Sequence, residues 1–437
     1  MSSSLPAHWR VERAKLADVI PLDDPAAAIA ATLAHPLASL PLGDLCAEGS
    51  RVTIVTDDSA PFALVIPPLL NELKAAGVRD EDITVLSARS ADILTGQIAG
   101  SGLTSIKTHD PSNESELDEL GAVDGIHITL NRHAAEADLL IAACAIRPHP
   151  YAGYAGAEAC VALGCAGETT RRDLLGLPFL DDPRVRAGRV QDNPFARMMR
   201  EIARRAGLLF CLSVVMRGDD LVAARAGSPG VVFDDLLETA RETHEATTQR
   251  GKYGVVLVEG PSVGENTLFE VSAIAAEIAA ANKPVLAAGG SLILPVTPDP
   301  PAPNPRRENF YAALADTEDM QSVVQRLRHR GAQMGQRRAY RLAQAMSQND
   351  LSVIVVGANN PALIKNCGFI PAETMQDAAK AAENLQFSDT IHCLIAPAQT
   401  QVFNPAVTAY FADEDEPGLE LPWRQIGKSG EFNPFYK

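Results

Sequence analysis

The sequence contains no run that approaches the roughly 20 consecutive apolar residues needed by a membrane-spanning helix. Its start, MSSSLPAHWRVERAK, also lacks the uninterrupted apolar segment of a secretory signal peptide. An excess of positive charge is missing as well, because the net charge is −17 at pH 7. This charge argues against nucleic acid and against anionic membranes as partners. We therefore expect a cytoplasmic protein that binds neither.

Cysteine is scarce and irregularly spaced, with seven residues in 437. An odd number without regular spacing is typical of reduced thiols rather than of a disulfide framework. Cys144, Cys160 and Cys165 are close in sequence, but their spacing matches no zinc motif, and each lies in an apolar run where cysteine is an ordinary core residue. Neither GxGxxG nor GxxxxGK[ST] is present, so no nucleotide is implied.

Apolar periodicity predicts alternating strands and helices. Residues 51–56 are rich in β-branched side chains and predict a strand, residues 62–78 have a helical period, and residues 82–88 predict a second strand. This spacing is that of a βαβ unit with a parallel sheet. Because 437 residues exceed what one core usually supports, we predict two α/β domains with mainly parallel sheets, residues 1–250 and 251–437, and an interdomain cleft.

Glycine and proline mark the predicted breaks in the second half. The segment PVLAAGG, residues 284–290, predicts a strand that ends in a glycine-bearing turn. The segment LILPVTPDPPAPNPRREN, residues 292–309, is rich in proline and is predicted to be irregular.

The most informative motif is HPYAGYAG, which begins at His149. It follows a predicted buried strand, residues 137–145, and so lies at the carboxyl end of a strand, where open α/β sheets place their ligands. His149 stands between two prolines that keep its backbone out of a helix. It is either a general base or ligand contact, or a histidine that satisfies backbone groups. Gly153, Tyr154 and Gly156 form a turn that can offer backbone amides to an anion, although steric reasons alone also produce such turns.

Acidic residues near these segments are further candidates. Asp57, which follows the first predicted strand, is predicted to contact a ligand. Asp58 and Glu168 are predicted to be capping or surface residues. Glu158 is either a member of an acid–base or cation-binding pair or a residue on a solvated helix face.

The loop HPYAGYAG resembles the signature loop of the nickel-pincer lactate racemases, which runs His, three residues, Gly, an aromatic residue, a small residue and Gly. The turn TDDSAP resembles the family's Asp-x-Thr-Arg-Pro, with Asp57 retained and Ser59 in place of threonine. The segment ENFYAALAD resembles the family's Tyr-Gln-x-x-Lys, with Tyr311 retained. This resemblance spans most of the chain. It implies a cleft for a small hydroxy- or oxo-acid, with His149 as one of the two racemising bases.

By the same resemblance, apolar residues occupy the positions of the family's cofactor-binding, substrate-binding and catalytic residues. The lysine that holds the pincer cofactor covalently corresponds to Ala159, and the nickel-binding histidine corresponds to Leu175. Without nitrogen or oxygen, such side chains can neither form the linkage nor bind the metal. We therefore predict neither a covalently tethered pincer cofactor nor a metal ligand at these positions. The positions of the carboxylate-binding arginine, the second base, and the second-domain glutamine and lysine fall on Ala60, Ala91, Ala312 and Ala315.

Three functions stay open at this stage. The first is a diverged family member with a cleft for a small hydroxy- or oxo-acid that uses no covalently tethered nickel pincer; as an enzyme it would be a racemase-like isomerase or another small-acid enzyme. The second is a non-catalytic pseudoenzyme with a binding or regulatory role. The third is a 2-hydroxyacid racemase or epimerase that holds the nickel pincer noncovalently. The expected partner is a small carboxylate-bearing molecule, and formation of a homo-oligomer is left open.

Overall fold

The structure is a computed structural model that describes residues 5–57, 59–87, 105–259, 266–315, 319–386, 390–397 and 402–405. Its strands are β1 Arg10–Arg13, β2 Lys15–Leu16, β3 Val52–Thr56, β4 Ile83–Ser87, β5 Ile106–Thr108, β6 Leu117–Val123, β7 Ile126–Asn131, β8 Leu139–Ala145, β9 Arg147–His149, β10 Gly153–Ala155, β11 Leu208–Arg217, β12 Asp220–Gly227, β13 Glu245–Thr248, β14 Tyr253–Val258, β15 Leu286–Pro295, β16 Ser352–Val356, β17 Ile370–Ala372, β18 His392–Ala396 and β19 Val402–Pro405.

The α-helices are α1 Pro25–Ala34, α2 Phe62–Ala75, α3 Arg132–Ala135, α4 Ala157–Gly164, α5 Glu168–Leu174, α6 Leu177–Asp181, α7 Pro194–Arg205, α8 Pro229–His244, α9 Leu268–Ala279, α10 Pro305–Leu314, α11 Met320–Arg330, α12 Gln336–Asn349, α13 Pro361–Asn366 and α14 Met375–Leu385. Within the described ranges, none of these helices is both long and apolar enough to cross a membrane.

The first sheet has the strand order β12-β11-β8-β3-β4-β5. Its neighbouring strands are parallel except for β11 and β12, which form an antiparallel hairpin. The central strands β3 and β8 are buried along their whole length, which explains why both read as continuous apolar runs. The predicted βαβ unit is confirmed, because β3 and β4 are parallel neighbours with α2 between them in the chain.

The second sheet has the order β1-β18-β14-β15-β16-β17, and all of its pairs are parallel. Strand β1, from the beginning of the chain, lies at its edge with Arg10 opposite His392. A smaller sheet joins β19, β13 and β2. The predicted α/β class with mainly parallel sheets is confirmed. The division at residue 250 and the interdomain cleft stay predictions.

Both large sheets are covered by apolar side chains on two faces. Helices α1 and α2 pack on one face of the first sheet, and α4, α5, α7 and α8 pack on the other. Helices α9 to α13 cover one face of the second sheet, while α14 and Trp9 cover the other. This layered arrangement leaves the carboxyl ends of the strands to carry loops.

Strand β15 corrects one expectation from the sequence. It continues through residues 292–295, which we predicted to be irregular. The strand passes Gly289 and Gly290 with a shift in register against β14, between Tyr253 and Val255, and then resumes. The side chains after the shift are buried and pair with both neighbouring strands, so burial outweighs the turn signal of the glycine pair.

Candidate functional site

The carboxyl ends of β3 and β8 bring several candidate residues to one edge of the first sheet. Asp57 Oδ1 accepts hydrogen bonds from the backbone N–H of Ser59, at 3.0 Å, and from the Ser59 hydroxyl. Ser59 Oγ accepts a hydrogen bond from Ala145 N at 2.9 Å, which ties the turn after β3 to the end of β8. Arg147 Nη2 lies 3.6 Å from Asp57 Oδ2. The turn carrying Asp57 therefore touches the start of the HPYAGYAG loop.

The HPYAGYAG loop is a hairpin in which β9 pairs with β10, and His149 is held by its own backbone turn. Its Nδ1 accepts hydrogen bonds from Tyr151 N at 3.1 Å and from Ala152 N at 3.0 Å. Since Nδ1 accepts, the neutral ring carries its proton on Nε2. Burial, with smaller contributions from Arg147 and Arg341, lowers the pKa of His149 to about 3. Near neutral pH the ring is therefore an uncharged donor.

Aromatic packing fixes the plane of the His149 ring. The ring stacks on Phe195 with 5.8 Å between centroids and 15° between planes. Tyr151 lies 5.9 Å from the imidazole and 5.2 Å from Phe195, both in tilted contacts. Phe179 meets Phe195 edge to face at 5.4 Å. The imidazole is held by ring contacts as well as by its two hydrogen bonds.

The turn residues of the loop have clear packing roles. Gly153 has φ +81°, and a Cβ at this position would lie 2.2 Å from the carbonyl oxygen of Arg189. A Cβ at Gly156 would lie 3.0 Å from the ring of Phe233. The Tyr154 side chain is buried and donates to Glu245 Oε1 at 3.4 Å, and burial raises its pKa. Anion binding by this turn stays a prediction.

Two of the positions that lack the family's reactive groups are buried. Ala159 and Ala60 are each 8% exposed. Leu175 is half-buried and packs against the same apolar cluster that contains Ala159. Ala91 and Asp58 lie outside the described residues.

Glu158 is buried rather than on a solvated helix face, and burial raises the pKa of its carboxyl group. Glu168, by contrast, is exposed in the first turn of α5. Cys144, Cys160 and Cys165 are buried free thiols, as expected of core cysteines. Among the residues that the structure describes, no three histidine, cysteine, aspartate or glutamate side chains are grouped so as to hold a metal ion.

Tyr311 lies in the second half of the molecule, on α10. Its hydroxyl donates to Asp299 Oδ2 at 2.7 Å, and burial together with this bond raises its pKa. Ala312 is exposed and Ala315 is half-buried at the end of the same helix. In the described part of the chain, no hydrogen bond or ring contact joins Tyr311 to His149. Their meeting in one cleft stays a prediction.

Sequence reasoning missed a buried arginine that links the two halves. Arg341, on α12, is 3% exposed and donates through Nη2 to the carbonyl oxygens of Pro150, at 3.1 Å, and Val185, at 2.8 Å. Its Nη1 lies 3.6 Å from Glu277 Oε2, and its guanidinium lies 5.5 Å from the centre of the Tyr151 ring. The second half of the chain therefore contacts the His149 loop directly.

Asp181 is a second link that the sequence did not reveal. Its carboxylate accepts hydrogen bonds from Arg328 at 2.8 and 3.0 Å, from Gln344 at 3.0 Å and from the Tyr340 hydroxyl. Burial opposes ionisation, but these donors prevail and lower the pKa of Asp181. Tyr340 and Gln344 are four residues apart on one helix face. That spacing alone does not identify a partner so distant in sequence.

The comparisons with known proteins agree with this geometry. Residues 1–174 match the family described as the lactate racemase N-terminal domain. The chain is 25% identical over 380 residues to the lactate racemase of Thermoanaerobacterium thermosaccharolyticum, covering 82% of this chain and 85% of that protein. Residues 1–174 thus form a lactate racemase N-terminal domain, and the chain is similar to lactate racemases over most of its length. The resemblance carried by the HPYAGYAG loop is thereby confirmed.

Further matches extend this similarity to lactate racemases. The lactate racemase of Lactiplantibacillus plantarum is 27% identical over 207 residues, covering 43% of this chain and 47% of that protein. The structure of the lactate racemase apoprotein from T. thermosaccharolyticum matches with a TM-score of 0.74 at 23% identity, covering 90% of this chain and 94% of that one. A protein from Thermotoga maritima matches with a TM-score of 0.62 at 13% identity, covering 90% and 100%. These two structures show a shared fold.

Proposed function

We propose that this lactate racemase family member binds a small hydroxy- or oxo-acid and does not use a covalently tethered nickel pincer. The packing of Ala159 and Leu175 carries the proposal. The resemblance assigns the tethering lysine and the nickel-binding histidine to these positions, and both side chains contribute to one apolar cluster. Neither side chain has a nitrogen or oxygen, so the residues present do not fit the tethered group.

The geometry of His149 supports binding of an acid rather than proton abstraction. A general base must accept a proton, but Nδ1 already accepts two backbone donors and the pKa of the ring is lowered to about 3. The remaining N–H, on Nε2, suits a carboxylate or keto oxygen. The resemblance assigns the second racemising base to Ala91, which cannot accept a proton. This pair of observations favours a non-catalytic binding role over racemisation with a noncovalently held pincer.

Nearby charge also favours an anion beside this histidine. Arg147 and Arg341 both act on the His149 ring, where their positive charges disfavour its protonation. Asp57 lies 3.6 Å from Arg147 and offsets part of that charge. A bound carboxylate would gain from the arginines and from the Nε2–H at once, and hydrogen bonds to ionised groups are the stronger kind. A cytoplasmic location remains part of the proposal.

Intact-mass spectrometry and nickel analysis of the purified protein test the cofactor part. We expect the mass of the unmodified chain and nickel well below one atom per chain. A mass increase that fits a pincer adduct on the chain would contradict the proposal, as would one nickel per chain.

Isothermal titration with lactate, pyruvate and the uncharged analogue lactamide tests the binding part. Glutamine can place its amide N–H about where Nε2 lies, whereas asparagine reaches only as far as Nδ1. We therefore expect His149→Gln to bind within about threefold of the parent, and His149→Asn to lose about tenfold, which is ~1.4 kcal/mol. Equal affinity of the parent and His149→Ala for both acids, or equal affinity for lactamide and lactate, would refute the role of this histidine.

A further inference from the structure

A cavity lies away from the HPYAGYAG loop, and none of that loop's residues lines it. Its volume is about 870 Å³, within the range of small-molecule sites. It is bounded by the turn between β6 and β7, by α6 and the start of α7, and by the end of α11. We call it the arginine-rimmed pocket. Phe179 lines it and touches Phe195, whose ring stacks on His149, so aromatic rings separate the two places.

The floor of the arginine-rimmed pocket is apolar. Leu177 and Met198 are buried there, and Ile126 and Phe179 are half-buried. An aromatic ring and a flexible thioether together suit a planar or branched apolar group, since methionine adapts its shape and aromatic rings pack on one another. Water finds few hydrogen-bond partners on such a floor, which favours a ligand with an apolar body.

The rim is positively charged although the whole chain carries −17. Four arginines line the pocket against two aspartates, Asp124 and Asp173. The guanidinium of Arg197 lies 3.9 Å from Asp124, and both side chains are mostly exposed, so this pair is weak. Arg330 forms no ion pair within the part of the chain that the structure describes. The four arginines are Arg172, Arg197, Arg328 and Arg330.

We propose that the arginine-rimmed pocket binds a carboxylic acid with an aromatic or branched apolar body. The guanidinium fork matches a carboxylate in two parallel hydrogen bonds, which places the acid at the rim and its body on the floor. A monoanion fits better than a dianion, because Asp173, Asp124 and Asp181 offset the charges of Arg172, Arg197 and Arg328. The volume exceeds what a three-carbon acid would fill. This site goes beyond the proposed function and does not depend on it.

The test is isothermal titration with 3-phenylpropionate, compared with 3-phenyl-1-propanol, which lacks the charge, and propionate, which lacks the ring. We expect 3-phenylpropionate to bind at least about tenfold more tightly than either. The double variant Arg197→Ala/Arg330→Ala should weaken it about tenfold, and both side chains are exposed, so folding should be unaffected. The control Arg79→Ala/Arg204→Ala removes the same charge from exposed positions outside the pocket lining. The affinity of this control variant for 3-phenylpropionate should stay within about twofold of the parent's.

A bulky side chain on the floor of the arginine-rimmed pocket tests whether the ligand binds there. Ile126→Trp should abolish binding of 3-phenylpropionate, whereas His149→Asn, which weakens an acid bound at the loop, should leave it unchanged. The proposal is overturned by equal affinity for the acid and the alcohol, by equal losses in the two double variants, or by no detectable binding up to ~10 mM. Loss of binding in His149→Asn with Ile126→Trp unaffected would place the acid at the loop instead and would also overturn it.

Discussion

Replacement of His149 by alanine should destabilise the fold by about 2–4 kcal/mol. The change leaves the backbone N–H groups of Tyr151 and Ala152 without their acceptor, and each unsatisfied buried donor costs about 1–3 kcal/mol. It also removes the stacked contact with Phe195, and such aromatic pairs contribute about 0.5–1.5 kcal/mol. Water reaches part of this half-buried loop, so the lower part of the summed range is expected.

Urea denaturation of the parent, His149→Ala, His149→Asn and His149→Gln measures this effect. Asparagine can offer its side-chain oxygen near the position of Nδ1, so it should recover at least about 1 kcal/mol relative to alanine. Glutamine, which places its amide farther out, should recover less. The expected order of decreasing stability is therefore parent, His149→Asn, His149→Gln, His149→Ala. For acid binding we expect the opposite order of the asparagine and glutamine variants, because glutamine binds more tightly.

A cost below ~0.5 kcal/mol for His149→Ala, the value typical of an exposed loop residue, would refute this reasoning. So would equal stability of the asparagine and alanine variants, because the argument rests on the acceptor at Nδ1. Either result would mean that the hairpin satisfies its own amides without the imidazole.

Three further predictions concern packing and charge. Gly153→Ala should cost at least about 3 kcal/mol in urea denaturation because of its positive φ and a backbone clash, whereas Gly164→Ala, with open space around it, should cost less than ~1 kcal/mol. Asp181→Ala should cost about 2–4 kcal/mol through its lost donors, while the neighbouring Asp182→Ala, paired locally with one arginine, should cost less than ~1 kcal/mol. The pKa of His149 is lowered to about 3 in the folded protein, against 6.5 in the unfolded chain. The neutral ring therefore contributes stability that is fully present above pH 6.5 and is lost as the pH falls toward 3. Between pH 6 and 4, the free energy of unfolding should change less steeply with pH in His149→Asn than in the parent.

The strands and helices around the site could be predicted because their signals are local. The buried strand before the HPYAGYAG loop was predicted as residues 137–145 and is observed as β8, Leu139–Ala145. Helix α7 begins directly after Asn193, whose side-chain oxygen accepts hydrogen bonds from the backbone N–H groups of Phe195 and Ala196. Apolar periodicity and capping residues are contained in short windows of sequence, so they need no knowledge of distant contacts.

The role of His149 and the links between the halves could not be predicted in this way. The two prolines beside His149 indicate a loop, but the sequence does not show that Nδ1 turns back onto Tyr151 and Ala152. Arg341 reads as one of several arginines on an ordinary helix, and its burial against Pro150 depends on how two distant segments meet. Contacts of this kind carry no periodicity, so a single sequence does not reveal them.

The pairing of β1 with β18 has a consequence for how the protein is made. Arg10 is synthesised 382 residues before its partner His392 (392 − 10). Until then β1 has no neighbouring strand in its sheet, and β14 lacks β18 on one side. The second sheet is therefore completed only after His392 has left the ribosome, and β1 must remain without its partner strand and free of aggregation until then.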